Sequence, residues 1–189
     1  AESFGSLAID NLAETVDGVA VLREDAGGLL GSLGGAAVKH MGAAASLGTP
    51  HAPAVQVVLA DACRRAHITP GSVDSVECHA DGQAMGDAVE VLTASRYFWA
   101  PGRPLLTLSS VKSCYGNSIQ ACGMSQLLKV LHGQAFGWQV PSVHLRQLNP
   151  HALPAEEKEE HVQINDEGLL FATRTSIVGV TAIGWGGAV

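Results

Sequence analysis

Residues 77–90 read Glu-Cys-His-Ala-Asp-Gly-Gln-Ala-Met-Gly-Asp-Ala-Val-Glu, and this stretch decides the fold. The apolar residues at 73–78 predict a short β-strand that ends immediately before His79. A helix is predicted after it, from about residue 87 to residue 98. The pattern therefore puts His79 in a loop at the carboxyl end of a strand, where α/β proteins usually carry their reactive groups.

Strands and helices alternate in the rest of the sequence. Pro53 fits the first turn of a helix whose apolar residues recur at helical spacing: Val55, Val58, Leu59, Ala62, Cys63 and Ala66. Further strands are predicted at residues 15–23, 33–41, 105–109 and 177–183, a further helix at about 119–131, and a solvated loop or helix start at 156–160. Because neither an internal repeat nor a low-complexity linker interrupts this α/β pattern, residues 1–189 are predicted to form one domain.

Three other stretches complete a recognisable set of motifs. Residues 32–42 read Ser-Leu-Gly-Gly-Ala-Ala-Val-Lys-His-Met-Gly, residues 110–117 read Ser-Val-Lys-Ser-Cys-Tyr-Gly-Asn, and residues 180–189 read Val-Thr-Ala-Ile-Gly-Trp-Gly-Gly-Ala-Val. With residues 77–90, they resemble four motifs of the β-ketoacyl synthases in the order and spacing of that family. Any one glycine-rich piece would be a weak signal, whereas four collinear motifs are a strong one.

The resemblance implies a thiolase-like condensing enzyme, an α/β fold of two related halves stacked in five αβαβα layers, with this chain as the second half. In such enzymes the first half carries a cysteine, in a Thr-Ala-Cys-Ser-Ser setting, that takes an acyl group from an acyl carrier protein. The sequence contains no such segment. The resemblance thus implies the phosphopantetheine thioester of a carrier protein as the substrate if the chain is active, and no other cofactor.

The resemblance also assigns the candidate site residues. His79 and Asn117 take the positions of two histidines that stabilise the enolate, and Lys112 is an orienting cation. The substrate-binding positions are Ile183, Gly184, Gly186 and Gly187.

Several reactive positions depart from the family pattern. Asn117 replaces a histidine and cannot act as an acid or base near neutral pH. Ile119 replaces a glutamate, and Ile183 replaces a phenylalanine that gates the site. Asp81 replaces a threonine, and its carboxylate is expected to stabilise a protonated His79 and to oppose a developing enolate. These changes predict impaired or absent catalysis, in which case His79 is a retained structural histidine.

The cysteines and histidines predict neither a metal site nor a disulfide framework. The four cysteines are separated by 15, 36 and 8 positions, which is no zinc pattern. Cys78 neighbours His79, but adjacent strand residues point to opposite faces, so Cys78 is predicted to be structural rather than nucleophilic. A reducing compartment is the expected location.

The composition predicts a protein partner. Charged residues make up 15% of the chain, against about 25% in average soluble domains, and the mean hydropathy is +0.20. The net charge of −7 and the lack of a basic stripe argue against nucleic-acid binding. The longest uncharged run, residues 40–60, contains prolines and glycines, so no transmembrane segment is expected.

Three functional hypotheses remain open at this point. The chain is a degenerate ketosynthase subunit that pairs with an active homologous subunit, or one half of a split or multidomain polyketide or fatty-acid synthase. Alternatively, it is a non-enzymatic structural subunit of a large assembly that uses the ketosynthase fold as a building block. Low charge content fits burial against a partner in all three.

Overall fold

The computed structural model describes residues 18–22, 31–40, 42, 50–152, 162–171, 176–184 and 189. The strands in this part of the chain are β1 (Gly18–Leu22), β2 (Ser32–Ala37), β3 (Ser75–Glu77), β4 (Leu106–Ser109), β5 (Trp138–Gln139), β6 (Val162–Ile164), β7 (Leu169–Leu170) and β8 (Ile177–Val180). The helices are α1 (Ala52–Arg65), α2 (Ala84–Phe98), α3 (Lys112–Tyr115) and α4 (Cys122–Phe136), with 3-10 turns at Pro70–Ser72 and Ile119–Ala121.

Six of the described strands form a mixed sheet in the order β2-β1-β8-β3-β4-β6. Strands β8, β3, β4 and β6 are parallel, whereas β1 pairs antiparallel with both β2 and β8. Strands β5 and β7 form a separate two-stranded ribbon. Because the parallel strands end at the same edge of the sheet, the segments that follow β3, β4 and β8 meet there.

The sheet is covered on both faces. Alternate residues of β3 separate the two sides: Val76 packs with α1 and α2 in the main apolar core, whereas Glu77 contacts Lys129 of α4. On the α4 side, Val130 packs against Val178 and Val180 of β8. The described part of the chain is therefore three layers deep, as expected for one half of a five-layer fold.

Helix α1 matches its sequence prediction closely. Pro53 lies in its first turn, and the predicted apolar positions from Val55 to Cys63 are buried. Strand β2 approaches this helix so tightly that a Cβ at Gly35 would lie 2.6 Å from the carbonyl oxygen of Ala62. Only glycine fits there without displacing the backbone.

The other element boundaries differ from the predictions for identifiable reasons. Helix α2 begins at Ala84, three residues before residue 87, and α4 runs to Phe136, where Gly137 ends it with a φ of 72°. The predicted strand at 73–78 is shortened because residues 70–72 form a 3-10 turn. Strand β8 ends at Val180 because residues 181–183 turn towards His79.

Some predictions fall on residues outside the described ranges. These are the charged run at 156–160, the beginning of the predicted strand at 15–23, and the glycines Gly186 and Gly187. In the described residues, no helix combines the length and apolar character that crossing a membrane requires.

Candidate functional site

His79 occupies the predicted place, directly after β3 at the carboxyl edge of the sheet. Its ring is buried and accepts a hydrogen bond at Nδ1 from the backbone N–H of Ile183, at 3.2 Å. An accepting Nδ1 leaves the ring hydrogen on Nε2 in the neutral imidazole. His79 is thereby held as a neutral ring with Nε2–H as its hydrogen-bond donor.

Lys112 lies against the same ring. It is the first residue of α3, just beyond β4, and its Nζ is 3.0 Å from Nδ1 and 3.2 Å from Nε2 of His79. Its side chain is only 2% exposed. Burial lowers the pKa of Lys112, while nearby Cys122 and the carboxylates of Glu90, Asp81 and Asp87 partly oppose that shift. The structure thus brings together two of the three predicted catalytic residues.

Asp81 does not keep His79 protonated, because burial and Lys112 outweigh its carboxylate. Burial lowers the pKa of His79 to about 3, and the positive charge of Lys112 lowers it further in the same direction. The Asp81 carboxylate is 4.0 Å from Nε2, farther than the lysine, and it accepts hydrogen bonds from the backbone and side chain of Gln83. Asp81 lies only two residues from His79 in the sequence, but this proximity did not show that the charge of Lys112 would dominate at the ring.

Asn117 takes part in a local turn rather than in the His79 cluster. Its Oδ1 accepts a hydrogen bond from the backbone N–H of Ile119, at 3.1 Å. Among the described residues, no hydrogen bond joins Asn117 to His79 or Lys112. The third predicted catalytic residue therefore offers a substrate its amide N–H groups as hydrogen-bond donors.

Ile183 reaches the site through its backbone, not through its side chain. Its N–H group donates to His79, and the side chain packs against the main apolar core. Gly184 follows it in the described part, whereas Gly186 and Gly187 lie outside the described residues. The substrate-binding role predicted for these four positions stays a prediction.

Sequence reasoning kept Glu90 in register with the family but gave it no role. Its carboxylate, on α2, accepts hydrogen bonds from the backbone N–H groups of His79 (2.7 Å) and Ala80 (2.9 Å) and from the hydroxyl of Thr181. It therefore links the loop after β3 to the loop after β8. Burial raises the pKa of Glu90, and these hydrogen bonds oppose the shift. The sequence offered no local signal for this role, because the partners of Glu90 lie on other elements.

A second buried carboxylate, Glu77, anchors the base of the site. It accepts hydrogen bonds from the Ser109 hydroxyl and the Val111 N–H, and forms an ion pair of 2.8 Å with Lys129. Nearby on α4, Gln126 donates to the carbonyl oxygens of Cys78 and Thr181. These contacts hold the ends of β3, β4 and β8 in fixed relation beneath His79.

Two replaced positions have strained backbones. Ala80 stands where the family has glycine and has a φ of +36°, while Ile119 stands where the family has glutamate and has a φ of +35°. Left-handed backbone is unfavourable for residues with a Cβ, and most of all for a β-branched residue. Both loops therefore hold a residue with a Cβ in a backbone conformation that favours glycine.

Cys78 does not contribute to the site. Its side chain belongs to the main apolar core, and burial raises the pKa of its thiol well above the usual value. A thiol held protonated is a poor nucleophile, as the sequence analysis expected for a structural residue. In the described part of the chain, no group of three His, Cys, Asp or Glu side chains could hold a metal ion.

Sequence comparisons agree with the motifs. Residues 30–146 match the family model for the β-ketoacyl synthase C-terminal domain. The highly reducing polyketide synthase anuA of Penicillium roqueforti is 34% identical over 82% of this chain, and the polyketide synthase PksL of Bacillus subtilis is 31% identical over 80% of it. Both relatives are much longer, because the matched segment spans only 7% of the first and 3% of the second.

Structural comparisons agree with the fold. The oxazolomycin ketosynthase domain OzmH KS7 of Streptomyces albus has a TM-score of 0.71 and 27% identity, covering 84% of this chain and 29% of that one. A ketosynthase from module 6 of the bacillaene synthase of Bacillus subtilis has a TM-score of 0.72 over 84% of this chain and 30% of its own, at 23% identity. The predicted thiolase-like α/β fold is confirmed.

Proposed function

Because the chain belongs to the β-ketoacyl synthase C-terminal domain family, we propose that it is the second half of a ketosynthase domain of the polyketide-synthase type with lost or strongly reduced condensation activity. The observation that carries this proposal is the state of position 117. Its side chain is an amide whose oxygen already accepts the Ile119 N–H, and among the described residues no hydrogen bond joins it to His79 or Lys112.

The chemistry explains why this position matters. Decarboxylation of a malonyl thioester leaves an enolate, which hydrogen-bond donors must stabilise as the charge develops. The Nε2–H of a neutral His79 supplies one donor. Asn117 supplies at best a second donor through Nδ2, and it cannot accept or release a proton. Since a positioned acid or base contributes typically about 10²–10⁴-fold, condensation by this site is expected to be slower by that order.

Lys112 supports the same conclusion. Within the described part of the chain, no carboxylate lies within ion-pair distance of its Nζ, and Ile119 occupies the family's glutamate position. The ammonium is buried against a histidine ring that is itself disfavoured as a cation. The charge that should orient a substrate carbonyl is therefore less favourable here than it would be beside a carboxylate.

The outer face of α4 supports a protein partner. Three apolar side chains on this helix are exposed: Met124 at 61%, Leu128 at 49% and Phe136 at 76%. In a five-layer fold the central helices of the two halves pack against each other. We assign this face to the first half of a ketosynthase domain, and any remaining substrate to the phosphopantetheine thioester of an acyl carrier protein.

A second candidate function is a structural subunit of a large assembly. It is favoured by the contrast between the complete contacts of Glu77 and Glu90 and the replaced groups at positions 117 and 119. A fold retained only for assembly would need the contacts of Glu77 and Glu90, but it would not need reactive groups at positions 117 and 119. The two candidates differ in the partner: a ketosynthase first half in one, several unrelated subunits in the other.

Two measurements test these candidates. The chain, with its native partners, is incubated with malonyl carrier protein labelled at the free carboxyl carbon, and released carbon dioxide is counted. The control is a ketosynthase domain that has both histidines. We expect release at least about 100-fold below the control, and a rate within tenfold of it would overturn the proposed impairment.

Native mass spectrometry of the purified assembly tests the partner. One bound chain of similar size, or a longer parent chain, would support the ketosynthase pairing. Several unrelated subunits would instead support the structural role.

A further inference from the structure

A cavity lies next to the His79 loop on the face of the sheet that carries α2. Its volume is about 260 Å³, and it is bounded by α2, the ends of β3 and β4, strand β6 and the segment 142–152. Neither His79 nor Lys112 lines it. The cavity is thus distinct from the candidate active site, although the same loop forms a wall of both.

The exposed surface of the wall is mostly apolar. The apolar side chains include Val91, Leu108, Leu145, Leu148, Ala152 and Ile164. Three of the serines in the wall already have partners: Ser109 donates to Glu77, Ser113 donates to the Ser110 carbonyl, and Ser142 accepts from the Ser110 N–H.

One carboxylate in the wall has no partner of opposite charge in the described part of the chain. Asp87 accepts a single hydrogen bond, from the Gly82 N–H at 3.3 Å, and forms no ion pair in the described part of the chain.

The charge around Asp87 favours a cation. Burial raises the pKa of Asp87 to about 7, the carboxylates of Glu90 and Asp81 raise it too, and the Gly82 hydrogen bond and Lys112 oppose the shift. At pH 8 the carboxyl group is ionised without a counter-charge in contact. A positively charged group placed against it would relieve this cost.

We propose that this cavity binds a small aliphatic primary amine, with its ammonium group against Asp87 and its chain against the apolar wall. An apolar cavity of 150 Å³ accommodates benzene, so about 260 Å³ accommodates a chain of roughly six carbons. An ammonium donates hydrogen bonds to a carboxylate and supplies the opposite charge that Asp87 lacks. The proposal does not depend on whether the ketosynthase site is active.

The test compares three six-carbon probes by isothermal titration calorimetry on the full chain at pH 8: hexylamine, 1-hexanol and hexanoate. Hexylamine should bind at least tenfold more tightly than 1-hexanol, and hexanoate should not bind measurably. Equal binding of hexylamine and hexanoate would overturn the proposal, because a site containing Asp87 must discriminate by charge.

Variants that remove the Asp87 charge, and variants that fill the cavity, test whether hexylamine binds there. Asp87→Asn should weaken hexylamine about tenfold and leave 1-hexanol unchanged, whereas the matched control Asp166→Asn, at an exposed position on another loop, should change neither. Ala152→Leu, or Leu145→Trp at the more exposed rim, should weaken hexylamine and 1-hexanol together. Unchanged hexylamine affinity in Asp87→Asn, or in both filled variants, would show that the amine binds elsewhere and would refute the assignment.

Discussion

Two regions of the candidate site differ: the buried contacts beneath His79, called the base, and the loop residues around His79, called the rim. At the base, Glu77 and Glu90 make complete sets of hydrogen bonds that fix the ends of three parallel strands. At the rim, Asn117 accepts only a local backbone hydrogen bond, and Ala80 and Ile119 adopt left-handed backbone. The buried contacts that hold the loops in place are intact, whereas several residues on the loops are replaced. The contacts that hold the fold and the groups that carry the chemistry are therefore separable in this structure.

The largest expected effect concerns the base. Lys129→Met leaves the carboxylate of Glu77 buried without its cation, which typically costs about 3–5 kcal/mol of unfolding free energy. Urea denaturation measures that loss. The double variant Glu77→Gln, Lys129→Met removes both charges and should recover part of the stability. A cost below about 1 kcal/mol for the single variant would mean that the base is not what holds the site.

The second prediction separates two opposing pH effects on stability. The pKa of His79 is lowered to about 3, so its contribution is present above the unfolded pKa near 6.5 and is lost as pH falls. The pKa of Asp87 is raised to about 7, so its contribution is present below pH 4 and is lost as pH rises towards 7. In the native chain the pH-dependent contributions of His79 and Asp87 to the unfolding free energy partly cancel between pH 4 and 6.5.

Asp87→Asn removes the contribution of Asp87 to the pH dependence of the unfolding free energy and leaves that of His79. In that variant the His79 contribution alone should lower the unfolding free energy by about 2 kcal/mol from pH 7 to pH 5. At pH 8 the variant should be more stable than the native chain by about 1–2 kcal/mol, after allowance for solvent screening of a partly exposed carboxylate. Thermal unfolding across pH 4–8 measures both. Identical pH profiles for the two proteins would contradict the environment inferred for Asp87.

The rim offers a smaller test. Ala80→Gly relieves a positive φ in the loop that carries His79, so it should stabilise the chain by about 1 kcal/mol. The matched control is Ala60→Gly on the exposed face of α1, which should destabilise by about 1 kcal/mol. Opposite signs in chemical denaturation are expected, whereas a loss of stability in both variants would show that Ala80 is not strained.

The sequence predicted the scaffold better than the electrostatics. Helical spacing identified the buried face of α1, and the strand ending at His79 was placed correctly because apolar runs and turns are local signals. The roles of Glu90 and Lys129 were missed because their partners lie on other elements. Glu90 bonds to Thr181, 91 positions away, and Lys129 to Glu77, 52 positions away.

The same limitation explains why the sequence overestimated the effect of Asp81. Proximity in sequence indicated a carboxylate near the ring, whereas folding brings Lys112, 33 positions away, closer to both ring nitrogens. Burial then decides the sign of the pKa shift, and burial of one polar residue cannot be deduced from its neighbours in sequence. Charge effects in a site of this kind depend on its tertiary contacts.

The smallest expected effect is the most informative about function. Asn117→His restores the family residue at the rim, yet we expect no condensed product from malonyl carrier protein, because these 189 residues contain no Thr-Ala-Cys-Ser-Ser segment to hold an acyl group. Mass spectrometry of the carrier-bound products measures this. The variant should fold as the native chain does, since position 117 makes only a local hydrogen bond. Carbon dioxide release by the variant with no partner added would show that one histidine is enough to restore the rim, and that the site is closer to activity than its other replacements indicate.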